Sequence, residues 1–314
     1  MVVTRSAVQG AARRAAGPGC AATIGNFDGV HRGHCALLDR VAAKARELNT
    51  GSCVLTFEPH PREFFARAGK GAYPAPARLT RLRDKLDLIA DAGIDRVHVA
   101  RFDARFAALS AAQFVEEVLV REIGVRWLAV GRDFRFGKGR SGDFATLEEA
   151  APRCGFRVEA MPEVLVDGAR VSSSEVRAAL RNGDLRRAER LLGHPYFISG
   201  RVAHGARLGR GLGFPTANIP LWRSPPLSGI FVVEVEKLGP GVASVGRRPT
   251  VNPVDRPLLE VHLLDLDRDL YGRRLRVRFL EKLREEEKYA GLRELKAAIA
   301  RDVDRAQEYF ERHG

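Results

Sequence analysis

A short apolar run, Ala21-Ala22-Thr23-Ile24, leads into Gly25-Asn26-Phe27-Asp28-Gly29-Val30-His31-Arg32-Gly33-His34. Apolar residues at helical spacing follow: Leu37, Leu38, Val41, Ala45 and Leu48. Strand, glycine turn and helix start in this order commit the chain to a β-α unit. Backbone N–H groups at a helix N-terminus lack intrahelical partners, and the helix dipole favours an anion there. Gly25, Gly29 and Gly33 let backbone approach a ligand closely. His31 and His34, three residues apart, share one helix face. The segment predicts a phosphate-binding turn formed by Gly25, Asn26, Phe27, Asp28 and Gly29, with two imidazoles beside it. A plain connecting turn is the alternative.

The alternation continues. Cys53 to Phe57 reads as a buried strand, Leu79 to Ala92 as a helix and Arg96 to Val99 as a strand. Ser110 starts a helix through Phe114, Val118 and Leu119, with Gln113 at capping-box spacing, and Trp127 to Val130 is a strand ending at Gly131. This predicts a mostly parallel α/β sheet, whose ligands sit at the carboxyl ends of strands. After about residue 186 the pattern changes to strand-like runs bounded by glycine and proline: Tyr196 to Val202, Gly229 to Val235, Leu258 to Leu264 and Arg274 to Phe279. These predict an antiparallel barrel or sandwich, closed by a helix from about Leu292 to Phe310. The expected division is residues 1–186 and 187–314, each long enough for its own core.

The chain carries 52 basic and 39 acidic residues, a formal net charge of +13. The basic residues are dispersed, and neither RNP-type aromatic signatures nor zinc-finger spacings occur. Nucleotide binding is therefore a sufficient reason for the charge, and no nucleic-acid partner is expected. No apolar run is long enough to span a bilayer, so no membrane is expected. Arg13 and Arg14 interrupt the first segment and no apolar signal core follows, which predicts a ragged start to a cytoplasmic protein. Cys20, Cys35, Cys53 and Cys154 lack Cys-x-x-Cys spacing and read as reduced structural thiols. Whether the chain forms a homo-oligomer stays open.

Other segments carry chemistry. Phe57-Glu58-Pro59-His60-Pro61 follows a strand end as a rigid loop, a structural turn or a ligand contact. Gly131-Arg132-Asp133-Phe134-Arg135-Phe136-Gly137, also at a strand end, suits a base and a phosphate. Ser172, Ser173 and Ser174 open a helix; their hydroxyls cap it or bind phosphate, with Arg177 one turn on. Gly205 to Asn218 is a basic glycine-rich loop, including Gly209 and Gly213, suited to phosphates. Thr216 and Asn218 there supply oxygen ligands of the kind Mg²⁺ accepts. Glu260 shares a strand face with His262, opposite Leu259, Val261 and Leu263, where a carboxylate can deprotonate a hydroxyl or simply face solvent.

The His31-x-Gly33-His34 motif resembles that of the nucleotidylyltransferase superfamily, and the chain from about Ala22 to Phe310 resembles the bifunctional bacterial riboflavin kinase/FAD synthetase family. The resemblance also rests on Gly193 to Tyr196, Pro215 to Asn218, Gly246 to Thr250, Leu270 to Gly272 and Leu283 to Glu286. It implies a Rossmann-like N-terminal domain that transfers AMP from ATP to FMN, giving FAD and pyrophosphate. The implied C-terminal barrel phosphorylates riboflavin with ATP, and both steps use Mg²⁺. Carried over by motif, His31 and His34 stabilise adenylyl transfer, and Asp133 helps place substrate and metal. Ser172, Ser173 and Arg177 hold ATP phosphates, and Thr216 and Asn218 bind Mg-nucleotide. Glu260 is the kinase base, and Arg284 and Glu285 lie near the flavin. Ser174, Phe231, Ser244 and Tyr289 depart from residues common in the family; the last three fall in the kinase half.

Overall fold

The structure is a computed structural model that describes residues 1–5, 19–69, 74–204, 213–247, 257–264, 266 and 268–313. It divides into two compact units. One comprises residues 1–76 and 82–171, the other 77–81 and 172–314. The division thus falls between Val171 and Ser172, and a cut after residue 186 passes through the helix Leu185–Leu192. Among the described residues no helix is long and apolar enough to cross a membrane.

The first unit is a six-stranded parallel sheet. Its strands are β1 (Val2–Arg5), β2 (Cys20–Ile24), β3 (Gly51–Glu58), β4 (Arg96–Arg101), β5 (Val125–Gly131) and β6 (Arg157–Met161), in the order β1-β4-β3-β2-β5-β6. From β2 the chain winds outward to β3 and β4, then crosses back to β5 on the other side of β2. The two strands that flank this reversal are those whose ends carry the Gly25 and Gly131 motifs, which is where open α/β sheets bind ligands.

Apolar spacing sets the layers. Helix α1 (Arg32–Glu47) buries Leu38, Val41 and Ala45 against one sheet face. The other face packs on Phe114, Val118, Leu119 and Leu147. Each large side chain so buried contributes about 1.5–3 kcal/mol.

Several local expectations are corrected. Residues 2–5, to which the sequence pattern assigns no element, form the edge strand β1 beside β4. The Phe57–Pro61 loop is only partly a loop, because α2 (Pro61–Arg67) begins at its last proline, where the missing N–H is harmless. The helix capped by Ser110 has its capping box, but its body, Phe114–Ile123, is π-helical.

A short hairpin, β7 (Leu165–Val166) with β8 (Ala169–Arg170), follows in the first unit, and the second unit is an antiparallel barrel. Strands β9 (Phe197–Arg201), β10 (Ala217–Pro220), β11 (Gly229–Val235), β12 (Gly239–Arg247), β13 (Pro257–Leu263) and β14 (Arg274–Arg284) run in the order β10-β13-β12-β11-β14-β9. A bridge between Ala203 and Asn218 brings the two ends together and nearly closes the sheet. In β13 the side chains alternate, with Leu259, Val261 and Leu263 buried inside. Phe231 and Phe279 meet edge to face at 5.2 Å in the interior. The last helix, Leu292–His313, covers Val232, Val242 and Leu283 on the outside through Ala306.

Candidate active sites

In the first unit the β2 loop is tightly wound. Phe27 and Val30 have φ of +48° and +40°, with Gly29 between them at +86°. Left-handed backbone at a β-branched residue is strained, and such strain persists where the surroundings over-determine it. Gly25 leaves room for the Phe27 ring, since a methyl there would stand a tight 3.0 Å from Phe27 Cε2. Phe27 and Asp28 are both buried.

His31 is the N-cap of α1, and its Nδ1 accepts a hydrogen bond from the His34 backbone N–H at 3.3 Å. That bond places the proton of a neutral His31 on Nε2. The two rings stack with centroids 3.7 Å apart, and His34 rests on Phe27 at 4.8 Å. His34 Nδ1 and Asn26 Oδ1 are buried without a hydrogen-bond partner. The His34 imidazole is held well below its ordinary pKa, first by lost hydration, then by His31 and Lys85. It is therefore neutral at physiological pH.

The β5 loop turns at Phe134 N to Gly131 O, 3.1 Å. Asp133 pairs with Arg170 at 2.7 Å, and Arg170 also reaches Glu163 at 3.1 Å. Phe136 packs inward on Phe114 and Gly142, so this aromatic of the motif belongs to the core. His60 of the Phe57–Pro61 segment caps α2 by accepting from Arg62 N at 3.1 Å, a structural role.

In the second unit Ser172 caps α7 (Ser173–Arg181) by accepting from Glu175 N at 3.2 Å. Arg177, one turn on, is buried and donates through Nε to the Ala77 carbonyl at 2.7 Å. A guanidinium so anchored is oriented before any ligand arrives.

The barrel aligns the remaining residues. Asn218 is opposite Glu260, Glu260 opposite Ser244, Ser244 opposite Ile230, and Ile230 opposite Arg284. Five strands thus contribute one row. Asn218 Nδ2 donates to Thr216 O at 3.3 Å, whereas its Oδ1 is buried and has no hydrogen-bond partner. A cavity beside Thr216 is lined by Val202, Val261, Arg268, Asp269 and Tyr271. Gly213, at φ +90°, leads into this segment; Gly209 lies outside the described residues.

Arg284 is engaged by Asp302, with Nε–Oδ1 at 3.0 Å and Nη2–Oδ2 at 2.6 Å. Glu285 is exposed and pairs with Lys282. It is Glu286 that turns back onto the barrel: its carboxylate fills the space beside Gly246 and accepts from Ser244 Oγ at 3.1 Å. Burial raises the Glu286 pKa, the Ser244 hydrogen bond opposes the rise and the charge of Glu260 adds to it. Sequence reading missed Glu286, whose position depends on a distant glycine. It also missed Lys85, although Lys85 interrupts the apolar stripe of Leu82, Leu86 and Ile89 on α3 (Leu82–Asp91).

A parallel sheet with paired imidazoles at a strand-end helix start, joined to a barrel with a carboxylate–amide pair, defines a two-unit nucleotide-handling transferase. A family model for FAD synthetase matches residues 14–175, and one for riboflavin kinase matches residues 192–310. The bifunctional riboflavin kinase/FMN adenylyltransferase of Escherichia coli strain K12 is 52% identical, covering 93% of each chain. Its counterpart in Haemophilus influenzae is 48% identical, covering 93% of this chain and 94% of that one. The chain belongs to the bifunctional riboflavin kinase/FMN adenylyltransferase family. A crystal structure of a macrolide-efflux protein from Streptococcus pneumoniae, 23% identical, superposes with a TM-score of 0.78 over 98% of this chain and 99% of that one, a likeness of fold.

Proposed function

We propose that the barrel phosphorylates riboflavin through Glu260, and that the parallel-sheet unit adenylylates FMN through His31 and His34. In the first reaction Glu260 takes the proton of the terminal ribityl hydroxyl. The hydroxyl oxygen bonds to the γ-phosphorus of ATP, the bond to the bridging oxygen breaks, and ADP leaves with FMN formed. The observation that carries this assignment is the Asn218–Glu260 pairing, which sets an orphaned amide oxygen beside a carboxylate.

Asn218 Oδ1 and the Thr216 hydroxyl are hard oxygen donors that fit Mg²⁺, an ion that also keeps ligands from substrate phosphates. When bound, the ion neutralises phosphate charge. Gly213 supports the adjoining loop. Arg284 and Glu285 serve as the flavin contacts, with Glu286 beside them held by Ser244.

In the second reaction a phosphate oxygen of FMN bonds to the α-phosphorus of a second ATP, and pyrophosphate leaves. His31 and His34 donate to phosphate oxygens as charge builds, which is preorganised electrostatic stabilisation without a covalent intermediate. Asn26, Asp28 and the backbone of Gly25 and Gly29 shape the floor of that site, and Asp133 orients Arg170 at its other lip. Ser172, Ser173 and Arg177 serve as phosphate ligands at the start of α7.

The test is incubation of the purified protein with riboflavin, ATP and Mg²⁺ and chromatographic separation of the flavins. FMN should appear first and FAD after it, both lost on chelation of the metal. Absence of either product from folded protein refutes the corresponding half.

A further inference from the structure

Lys85 is 1% exposed. A lysine seldom sits so deep, because a desolvated ammonium costs several kcal/mol relative to water. It lies on α3, at the end of the sheet that carries the β2 loop. Its Nζ donates to Thr56 Oγ1 at 3.4 Å, and Thr56 Oγ1 donates to the backbone carbonyl of Asn26 at 3.3 Å. Asn26 precedes Phe27, whose ring supports His34. The ammonium is therefore connected through Thr56 to the loop that carries the adenylyl-transfer residues. Its charge also acts on the His34 imidazole, as does that of His31.

We propose that Lys85 is a positioning residue for FMN adenylylation, holding through Thr56 the Asn26 loop whose Phe27 ring supports His34. This rests on the placement of His34 in the adenylyl-transfer site. A neutral imidazole stabilises charge that develops in the transition state without gripping the ground-state triphosphate with a full charge. The stacked His31 ring and the Lys85 charge both disfavour an added proton on His34. Asp39 on α1 and Asp28, buried in the same loop, are the nearest carboxylates by sequence, and both are present in every variant of the test.

The experiment uses the full chain. The titration of His34 is followed by NMR of ring-labelled histidine, assigned with His34→Gln, in wild type, Lys85→Met and Lys85→Arg. FAD formation from FMN and ATP is measured across pH, with riboflavin phosphorylation as the check on folding. Lys85→Met should raise the pH at which His34 titrates by about one pH unit and carry the acid limb of FAD formation upward with it. FMN formation should be unchanged, and Lys85→Arg should restore both quantities towards wild type. An unchanged His34 titration in Lys85→Met overturns the inference. If that variant does not fold, Thr56→Val, which breaks the Lys85–Thr56–Asn26 connection, is measured in its place: slower FAD formation with FMN formation unchanged supports the inference, and wild-type FAD formation overturns it. Loss of the His34 assignment itself has a separate signature, full FAD formation by His34→Gln.

Discussion

Arg284 at the end of β14 and Asp302 on the last helix form a two-pronged ion pair, at 3.0 and 2.6 Å. Asp302 is nearly buried, its side chain 5% exposed, and that of Arg284 is 20% exposed. A residue expected to meet the flavin is thus held by the helix that closes the barrel. Asp302→Asn keeps the shape and removes the charge. Breaking such a pair costs about 3 kcal/mol. Denaturant unfolding should register that loss in the barrel, and the riboflavin KM should rise while FAD formation from added FMN persists. An unchanged KM would mean that Arg284 needs no partner to work.

His34→Ala removes a donor from the stack at the α1 start. Losing one preorganised donor typically costs about 10²–10³ in rate. The variant should accumulate FMN and form FAD at least a hundredfold more slowly, as read by chromatography of the flavins. Normal FAD production by folded variant would falsify the role.

Glu260→Gln retains size and loses basicity, with an expected cost of about 10²–10⁴ in FMN formation. Conversion of added FMN to FAD should continue. Asn218→Ala should instead raise the Mg²⁺ concentration needed for half-maximal kinase rate, because it deletes an oxygen ligand rather than the base. Riboflavin phosphorylation at the wild-type rate in Glu260→Gln would leave Glu260 a surface carboxylate.

Separation of the units depends on where the chain is cut. A fragment from Arg187 begins inside the helix Leu185–Leu192 and lacks α7. A fragment from Ser172 keeps both helices but lacks residues 77–81, whose Arg81 donates to Pro220 O at 3.0 Å. The fragment from Ser172 should unfold at higher denaturant than the one from Arg187, and both should fall short of the barrel in the full chain. Equal midpoints for all three would show that neither α7 nor the 77–81 strap contributes.

Arg40 on α1 grips Glu159 on β6 through two hydrogen bonds of 2.9 Å. The Arg40 hydrogen bond is the main cause holding the Glu159 carboxyl below its ordinary pKa, and burial opposes it. A carboxylate with a lowered folded-state pKa stabilises the protein above its unfolded pKa and loses that contribution as pH falls through the folded value. The pair is partly exposed and screened, so Glu159→Gln should cost no more than about 1 kcal/mol at neutral pH. The difference from wild type should vanish in acid. A difference independent of pH would point to packing instead.

Much of this architecture was legible in local pattern. The β2 loop, the α1 stripe and the alternation around Glu260 are set by neighbours a few residues apart, and β11 was read with its observed limits. β12 was not read as a strand, because Gly239, Pro240, Gly241 and Gly246 dilute its apolar signal. Its strand character comes from pairing with β11 and β13. In sequence Asn218 ends a glycine-rich loop, whereas in the fold it lies in β10, paired along its length with β13. Glu286 and the Arg284–Asp302 pair are long-range relations that no single segment encodes. Lys85 was visible as a charge on an apolar stripe, and an ordinary amphipathic reading passes over such an exception.

The row from Asn218 to Arg284 has a consequence for how the barrel can change. Neighbouring strands lie about 4.8 Å apart, so strand count, rather than loop length, measures the distance between its ends. Loops joining these strands can lengthen without moving the row. Within β12, however, a one-residue insertion would reverse the side chains beyond it. Ser244 would turn inward and Val245 outward, leaving Glu286 without its hydroxyl partner and the core without a valine. The barrel is therefore permissive at its connections and intolerant within its strands. Flavin chemistry depends here on parity: on every strand the residue of the row must keep the face that its cross-strand partners share.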